Sequence, residues 1–295
     1  MADAFVDLDG IRICYETFGD LSDPTLLLVM GLGSPMTDWD DDLCHLFVDR
    51  GFHVVRYDNR DAGLSTFLPE PVDLFAVLGA ISNGDDPGVP YLLADMAEDA
   101  IGLLDHLGVA QAHVVGVSLG GMIAQTMALD HASRLATLTS IMSTPGPNVA
   151  PPAPEALNVL LGPPAQNVEE AMDRSVVNAS IWGSPELYTE TEVRERARRN
   201  WERHYDPNGS ARQLAAILAS GDRTERLRSL EVPTLVIHGT ADTLIPQVGG
   251  EATAAAVPDA KLLIIEGMGH DLVQPLWSQL VEAITGHAAQ HQASV

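Results

Sequence analysis

Residues Ala112 to Met122 read AHVVGVSLGGM, and this stretch decides the fold. The β-branched run His113 to Val117 predicts a strand, and Met122 to Leu129 suits a helix. Between them Gly116-Val117-Ser118-Leu119-Gly120 forms a GxSxG pattern. A serine on a tight strand-to-helix turn needs small neighbours, and glycines stand two residues before it and two after it. Such a turn lifts the Ser118 hydroxyl clear of a sheet. The helix that follows aims its first N–H groups, that of Leu119 among them, at negative charge developing on a bound oxygen. In a chain with 25 glycines the five letters alone are weak, since a solvated serine in a glycine-rich turn reads the same way. The flanking elements and the partners further along the chain make Ser118 a candidate nucleophile.

Upstream, Phe5 to Leu8 and Ile11 to Phe18 alternate like a hairpin turning at Asp9-Gly10, which predicts an antiparallel edge. Thr25 to Met30 (TLLLVM) and His53 to Tyr57 are continuous apolar runs of the kind buried strands show. Trp39 to Phe47 and Leu92 to Leu107 have helical spacing, and proline- and glycine-rich Pro69 to Pro90 reads as an excursion loop. Downstream, a strand is expected at Leu135 to Ser143, followed by the proline-rich stretch Thr144 to Pro164 and a helical pattern from Val168 to Leu230. Strand character resumes at Pro233, and Thr253 to Val257, Lys261 to Ile265 and Leu276 to Ile284 supply a helix, a last strand and a closing helix. The reading is an α/β fold with a mostly parallel eight-stranded sheet flanked by helices. Its core domain is 1–145 and 231–295, and 146–230 is a helical cap inserted late in the sheet, because plain αβ connections are far shorter.

Composition narrows the partners. The 295 residues carry 41 acids against 16 bases, a formal charge of −25 that repels nucleic acid and anionic membranes. Ten of the bases, all arginine, and twelve of the acids fall in 146–230, so the insert is nearly neutral and the rest strongly acidic. Cys14 and Cys44 are far apart and lack metal-ligand spacing, which predicts reduced packing residues, with neither a disulfide nor a metal site. The start, MADAFVDLDG, lacks the basic and apolar regions of a signal peptide, and no run approaches the roughly 18 apolar residues of a membrane span. A cytoplasmic protein is expected.

A nucleophilic serine needs a base, and the base an orienting acid, all at the carboxyl ends of the strands. That rule sorts the ten histidines. His270 follows the last strand in Gly267-Met268-Gly269-His270-Asp271, on a glycine-rich loop that gives the imidazole room to approach Ser118. His238 also follows a strand and is the competitor; beside Gly239-Thr240-Ala241-Asp242 it reads as a packed residue supporting that loop. Asp242 is the expected orienter, although an aspartate there could simply bind backbone N–H groups of its turn, and Asp271 reads as solvated. The oxyanion hole is expected from the N–H groups of Leu119 and Leu32, the latter beside Gly31 and Gly33. Substrate contacts are expected from Met30 and Gly31 and from the insert aromatics Trp182 and Tyr188. Trp201 and Tyr205 offer further aromatic surface for an apolar substrate, although all four aromatics are of the kind that at helical spacing more often form the core of the insert.

These residues resemble the α/β-hydrolase superfamily along the whole chain except the insert. The GxSxG elbow, Gly31-Leu32, Asp58-x-Arg60-x-x-Gly63-x-Ser65, Gly239-x-x-Asp242 and Gly269-His270 stand in the family's order. Two departures are Met30, where many relatives have histidine, and Asp61, where many have glycine. More closely, MGLG, RYDNRDAGLS, the proline-rich insert entry and GMGHDL are similar to capped carboxylesterases related to mycobacterial lipase/esterases and to the aclacinomycin methylesterases. The resemblance implies hydrolysis of a small-molecule carboxylic ester through an acyl-enzyme, with no cofactor or metal. A methyl ester on an aromatic polyketide is the narrower expectation. Ser118 excludes the relatives with an aspartate nucleophile. Two alternatives stand beside it: another reaction at the same serine, such as carbon–carbon bond hydrolysis or perhydrolysis, and a non-catalytic ligand-binding homologue.

Overall fold

The protein is described by a computed structural model over residues 3–291. Its strands are β1 (Ala4–Leu8), β2 (Ile11–Phe18), β3 (Thr25–Val29), β4 (His53–Tyr57), β5 (Ala112–Val117), β6 (Leu135–Ile141), β7 (Thr234–Gly239) and β8 (Lys261–Ile265). They form one sheet in the order β1-β2-β4-β3-β5-β6-β7-β8. β1 and β2 are the expected hairpin, with Leu8 opposite Ile11, and β2 runs antiparallel to β4; every later pairing is parallel. This is an eight-stranded α/β-hydrolase fold.

The apolar runs are continuous because the sheet is covered on both faces. Leu27 and Val29 of β3 join a core with Met96, Leu103 and Leu104 of α3 (Leu93–His106) and Ile123 and Met127 of α4 (Leu119–Asp130). Their neighbours Leu26 and Leu28 point the other way, onto Leu43 and Phe47 of α1 (Asp41–Val48) and Leu280 and Ile284 of α11 (Trp277–Ala289). Trp39 lies just ahead of α1 and is itself buried core. Cys14 and Cys44 are free and fully buried, as expected of packing residues, and burial pushes the Cys44 thiol up to about 12.

The excursion loop is a correction. Within Pro69 to Pro90 the chain forms α2 (Leu74–Asn83), capped by Asp73, whose carboxylate accepts from Phe75 and Ala76 N–H, and closed by Gly84 at φ 77°. The prolines flank this helix and leave its interior clear. Between β6 and β7 the described chain carries α5 (Pro154–Leu160), α6 (Val168–Trp182), α7 (Glu190–Arg203), α8 (Pro207–Ser220) and the short α9 (Thr224–Leu227). α6 packs along α7, and α8 packs on α2 and α3. α10 (Val248–Ala256) follows β7.

Candidate active site

Ser118 sits between β5 and α4 with φ 56° and ψ −119°, outside the regions open to a residue with a Cβ. The local sequence permits it. A Cβ on Gly116 would lie 2.0 Å from the Gly120 carbonyl oxygen, and one on Gly120 would lie 2.1 Å from that of Val29. Gly116 therefore lies against the start of α4 and Gly120 against the end of β3, and no larger residue fits either position. The elbow is tied to the sheet by Ser118 N–H donating to Ile141 O at 2.9 Å, and Ser143 Oγ donates to Ser118 O at 2.8 Å.

The loops after β7 and β8 bring Asp242 and His270 to the same end of the sheet. Ser118 Oγ lies 2.9 Å from His270 Nε2, and His270 Nδ1 lies 2.7 Å from Asp242 Oδ2. A carboxylate only accepts, so Nδ1 carries the proton and Nε2 is free to accept from the serine hydroxyl. Asp242 serves its turn as well, with Oδ1 accepting from Leu244 and Ile245 N–H, both at 2.9 Å. Burial by itself would raise the Asp242 carboxyl. The electrostatic attraction and hydrogen bond of the His270 imidazole, with the His238 N–H close by, outweigh it, so the group stays below the usual carboxylate range and remains ionised. His238 is fully buried. Its Nε2–H donates to Ile245 O at 2.7 Å and passes Asp242 Oδ2 at 3.5 Å, so it supports the turn from behind.

Gly31 borders the serine, with a Cβ there falling 3.3 Å from Ser118 Cβ. In the same loop Gly33 N–H donates to Gln213 Oε1 at 2.7 Å and Ser34 N–H to Gly31 O at 3.3 Å. Leu32 N–H and Leu119 N–H have no acceptor among the described residues. Met30 is buried core, and its carbonyl accepts from Asn59 Nδ2 at 3.0 Å. Of the insert aromatics, Trp182 ends α6 and its carbonyl accepts from His270 N–H. Half-buried Tyr188 packs on the apolar cluster that holds Met268 and Val273. Trp201 and Tyr205 stack on each other at 4.4 Å, with Tyr205 exposed. A surface cavity of about 830 Å³ lies elsewhere, lined by residues such as Thr234, Lys261 and His287 at the amino ends of β7 and β8 and in α11.

Several side-chain pairings near the site have no counterpart in the sequence pattern. Asp271 is half-buried and bonded, correcting the expectation of a solvated side chain: it accepts from Ser184 Oγ at 2.5 Å and from Ser184 N–H at 2.9 Å. Asp61 adopts φ 64°, a conformation for which glycine is the easy residue, and a buried ion pair holds it there. Arg212 of α8 donates Nε to Oδ2 at 2.9 Å and Nη2 to Oδ1 at 2.7 Å, and Tyr91 Oη adds a bond to Oδ2 at 2.6 Å. Gln213 also bonds Arg60 O at 2.8 Å, and Arg203 of α7 reaches Asp58 Oδ2 at 2.9 Å. The departure at Asp61 was the one visible sign that the insert is fastened to this loop.

With that geometry in place, the comparisons define the class. A family profile described as alpha/beta hydrolase fold matches residues 24–273, and the chain belongs to that family. Its homologues include proteins named as esterases. Rhodomycin D methylesterase DnrP of Streptomyces peucetius is 29% identical over 302 residues, covering 95% of each chain. The bifunctional esterase/perhydrolase DCH of Acinetobacter calcoaceticus is 27% identical, covering 90% of this chain and 91% of its own. Among solved structures, a hydrolase from Pseudomonas aeruginosa superposes with a TM-score of 0.72 at 26% identity, over 99% of this chain and 98% of that one. Among the described residues no group of histidine, cysteine and acidic side chains could hold a metal ion, and no helix is long and apolar enough to cross a membrane.

Proposed function

We propose that the protein hydrolyses carboxylic esters through a Ser118 acyl-enzyme. The observation that carries the reading is the hydrogen-bonded chain from Ser118 Oγ through His270 to Asp242, with both links under 3 Å. In this mechanism His270 Nε2 takes the hydroxyl proton as Ser118 attacks the ester carbonyl. The N–H groups of Leu32 and Leu119 hold the tetrahedral oxyanion. His270 returns the proton to the leaving alcohol, and the same sequence with water in place of the serine releases the acid. Asp242 fixes the imidazole tautomer and stabilises the imidazolium. Residues 146–230 act as a cap on the core of 1–145 and 231–295, and Trp182 and Tyr188 from the cap and Met30 and Gly31 from the core contact the acyl or ring part of the substrate.

The methylesterase relatives support a narrower substrate, a methyl ester on an aromatic polyketide. The relative named esterase/perhydrolase favours a second reading, perhydrolysis at the same serine, in which hydrogen peroxide replaces water as the acyl acceptor. Turnover of p-nitrophenyl esters and aromatic polyketide methyl esters, with and without peroxide, tests both beside Ser118→Ala. Ester hydrolysis lost by about 10⁴- to 10⁶-fold in the variant supports the reading, because nucleophile and base act as a unit. Equal activity in the variant contradicts it.

A further inference from the structure

The loop that carries His270 is held from two sides. Up to Met268 it is fastened to the core: Gly267 N–H donates to Thr240 Oγ1 at 2.9 Å and Ala241 N–H to Met268 O at 2.9 Å. From Gly269 to Asp271 its anchors change to the insert. Gly269 N–H donates to Ser184 Oγ at 2.8 Å, His270 N–H donates to Trp182 O, and the Asp271 carboxylate takes both the hydroxyl and the N–H of Ser184. The loop of the orienting acid reaches the same helix end, where Thr243 Oγ1 donates to Ile181 O at 2.8 Å. These bonds satisfy carbonyls that the end of α6 would otherwise leave open.

The two backbones touch. A Cβ on Gly269 would lie 2.2 Å from the Gly183 carbonyl carbon, and one on Gly183 would lie 2.9 Å from Asp271 Oδ2. Gly269 thus serves the approach of the insert, where the sequence suggested room for the imidazole. Ser184 is fully buried, so water does not compete for its hydrogen bonds.

We propose that Ser184 is a positioning residue for His270: by clamping Gly269 N–H and the Asp271 carboxylate, the insert fixes the residue on either side of the base and so sets the imidazole between Ser118 and Asp242. This rests on the serine-hydrolase reading above and adds that the insert completes the catalytic geometry as well as covering it. The clamp has a hydroxyl that both accepts and donates, so alanine removes two bonds at once and threonine keeps both.

The test measures kcat, KM and the rate of fluorophosphonate labelling for wild type, Ser184→Ala, Ser184→Thr, Asp271→Ala and the double variant, with rates normalised to folded protein. Ser184→Ala and Asp271→Ala should each lower kcat and the labelling rate by about 10- to 100-fold, the scale expected of a base displaced by about an ångström. KM should stay within about two-fold, because the clamp meets the loop and leaves the substrate surface alone. Ser184→Thr should recover most of the rate, and the double variant should be little worse than either single one, since both break the same clamp. If Ser184→Ala does not fold, Asp271→Asn carries the test, with a loss of kcat expected at unchanged KM. Wild-type kcat in Ser184→Ala or Asp271→Asn, or a deficit that disappears on normalising to folded protein, overturns the proposal. Full activity in Ser118→Ala would instead overturn the hydrolase reading, and the proposal with it.

Discussion

Holding Ser118 at φ 56° and ψ −119° costs on the order of 1–3 kcal/mol, which the surrounding turn must supply. It does so through Gly116, packed against the start of α4, Gly120, packed against the end of β3, and the bond to Ile141 O. The two histidines at the carboxyl ends then separate by what they touch. His270 bridges Ser118 and Asp242, whereas His238 donates to the Ile245 carbonyl behind the acid. His270→Ala should therefore abolish ester turnover while leaving the unfolding midpoint near wild type. His238→Ala should cost on the order of 2 kcal/mol of stability by emptying a buried site and lower kcat less than ten-fold. Paired kinetics and denaturant titrations check this; a folded, inactive His238→Ala beside an active His270→Ala would reverse the assignment. The candidate triad was legible in the sequence because each member follows a strand on a short loop with its own local pattern. Ser184, Asp271 and Gln213 were not, because their partners lie 85 or more residues away and nothing in the neighbouring letters marks the pairing.

Helix α8 is pinned to the loop after β4 by Arg212 and Gln213, and this accounts for an aspartate in the left-handed region at position 61. Both partners are buried, with side-chain exposures of 2% for Arg212 and 0% for Asp61, so removing the acid strands a guanidinium away from water. Asp61→Ala should destabilise the protein by about 3–5 kcal/mol, the usual cost of breaking a buried pair from one side. The double variant Asp61→Gly/Arg212→Leu should recover most of that loss, because glycine relaxes the backbone and no charge is left buried. Denaturant midpoints of the two variants decide the matter, and a wild-type midpoint in Asp61→Ala would show the pair to be idle. Helix α2 escaped the sequence reading for a different physical reason. Prolines at 69, 71, 87 and 90 suggest irregular chain, but the ten residues between Asp73 and Gly84 are free of them and carry a cap at each end.

At the scale of the molecule, the two ends of the sheet carry different duties. The carboxyl ends hold Ser118, Asp242 and His270, while the amino ends bury His113 of β5 and His287 of α11, whose imidazoles are both pushed down to about 4, first by burial and then by neighbouring histidines. Both are neutral in the folded protein and protonate more readily once unfolded, at the ordinary 6.5. The unfolded chain thus binds more protons across that window. Stability is full above pH 6.5 and falls as the pH drops toward about 4, each unit of depression being worth about 1.4 kcal/mol. Unfolding midpoints measured from pH 7 to 4 should decline, and His113→Gln should flatten the slope; an unchanged midpoint over that range would remove these histidines from the account. The strands themselves, the antiparallel edge and the helical character of the segment before β7 followed from periodicity, whereas the order of the strands in the sheet did not. The way the insert grips both the loop after β4 and the base loop needed the three-dimensional structure. Peptide mapping by mass spectrometry after reaction with a fluorophosphonate tests most directly whether Ser118 is the nucleophile and His270 its base. A single adduct on Ser118 is expected, formed rapidly by the wild type and suppressed in His270→Ala; an adduct on another residue, or equal labelling of Ser118 without His270, would rule out Ser118 as a nucleophile activated by His270.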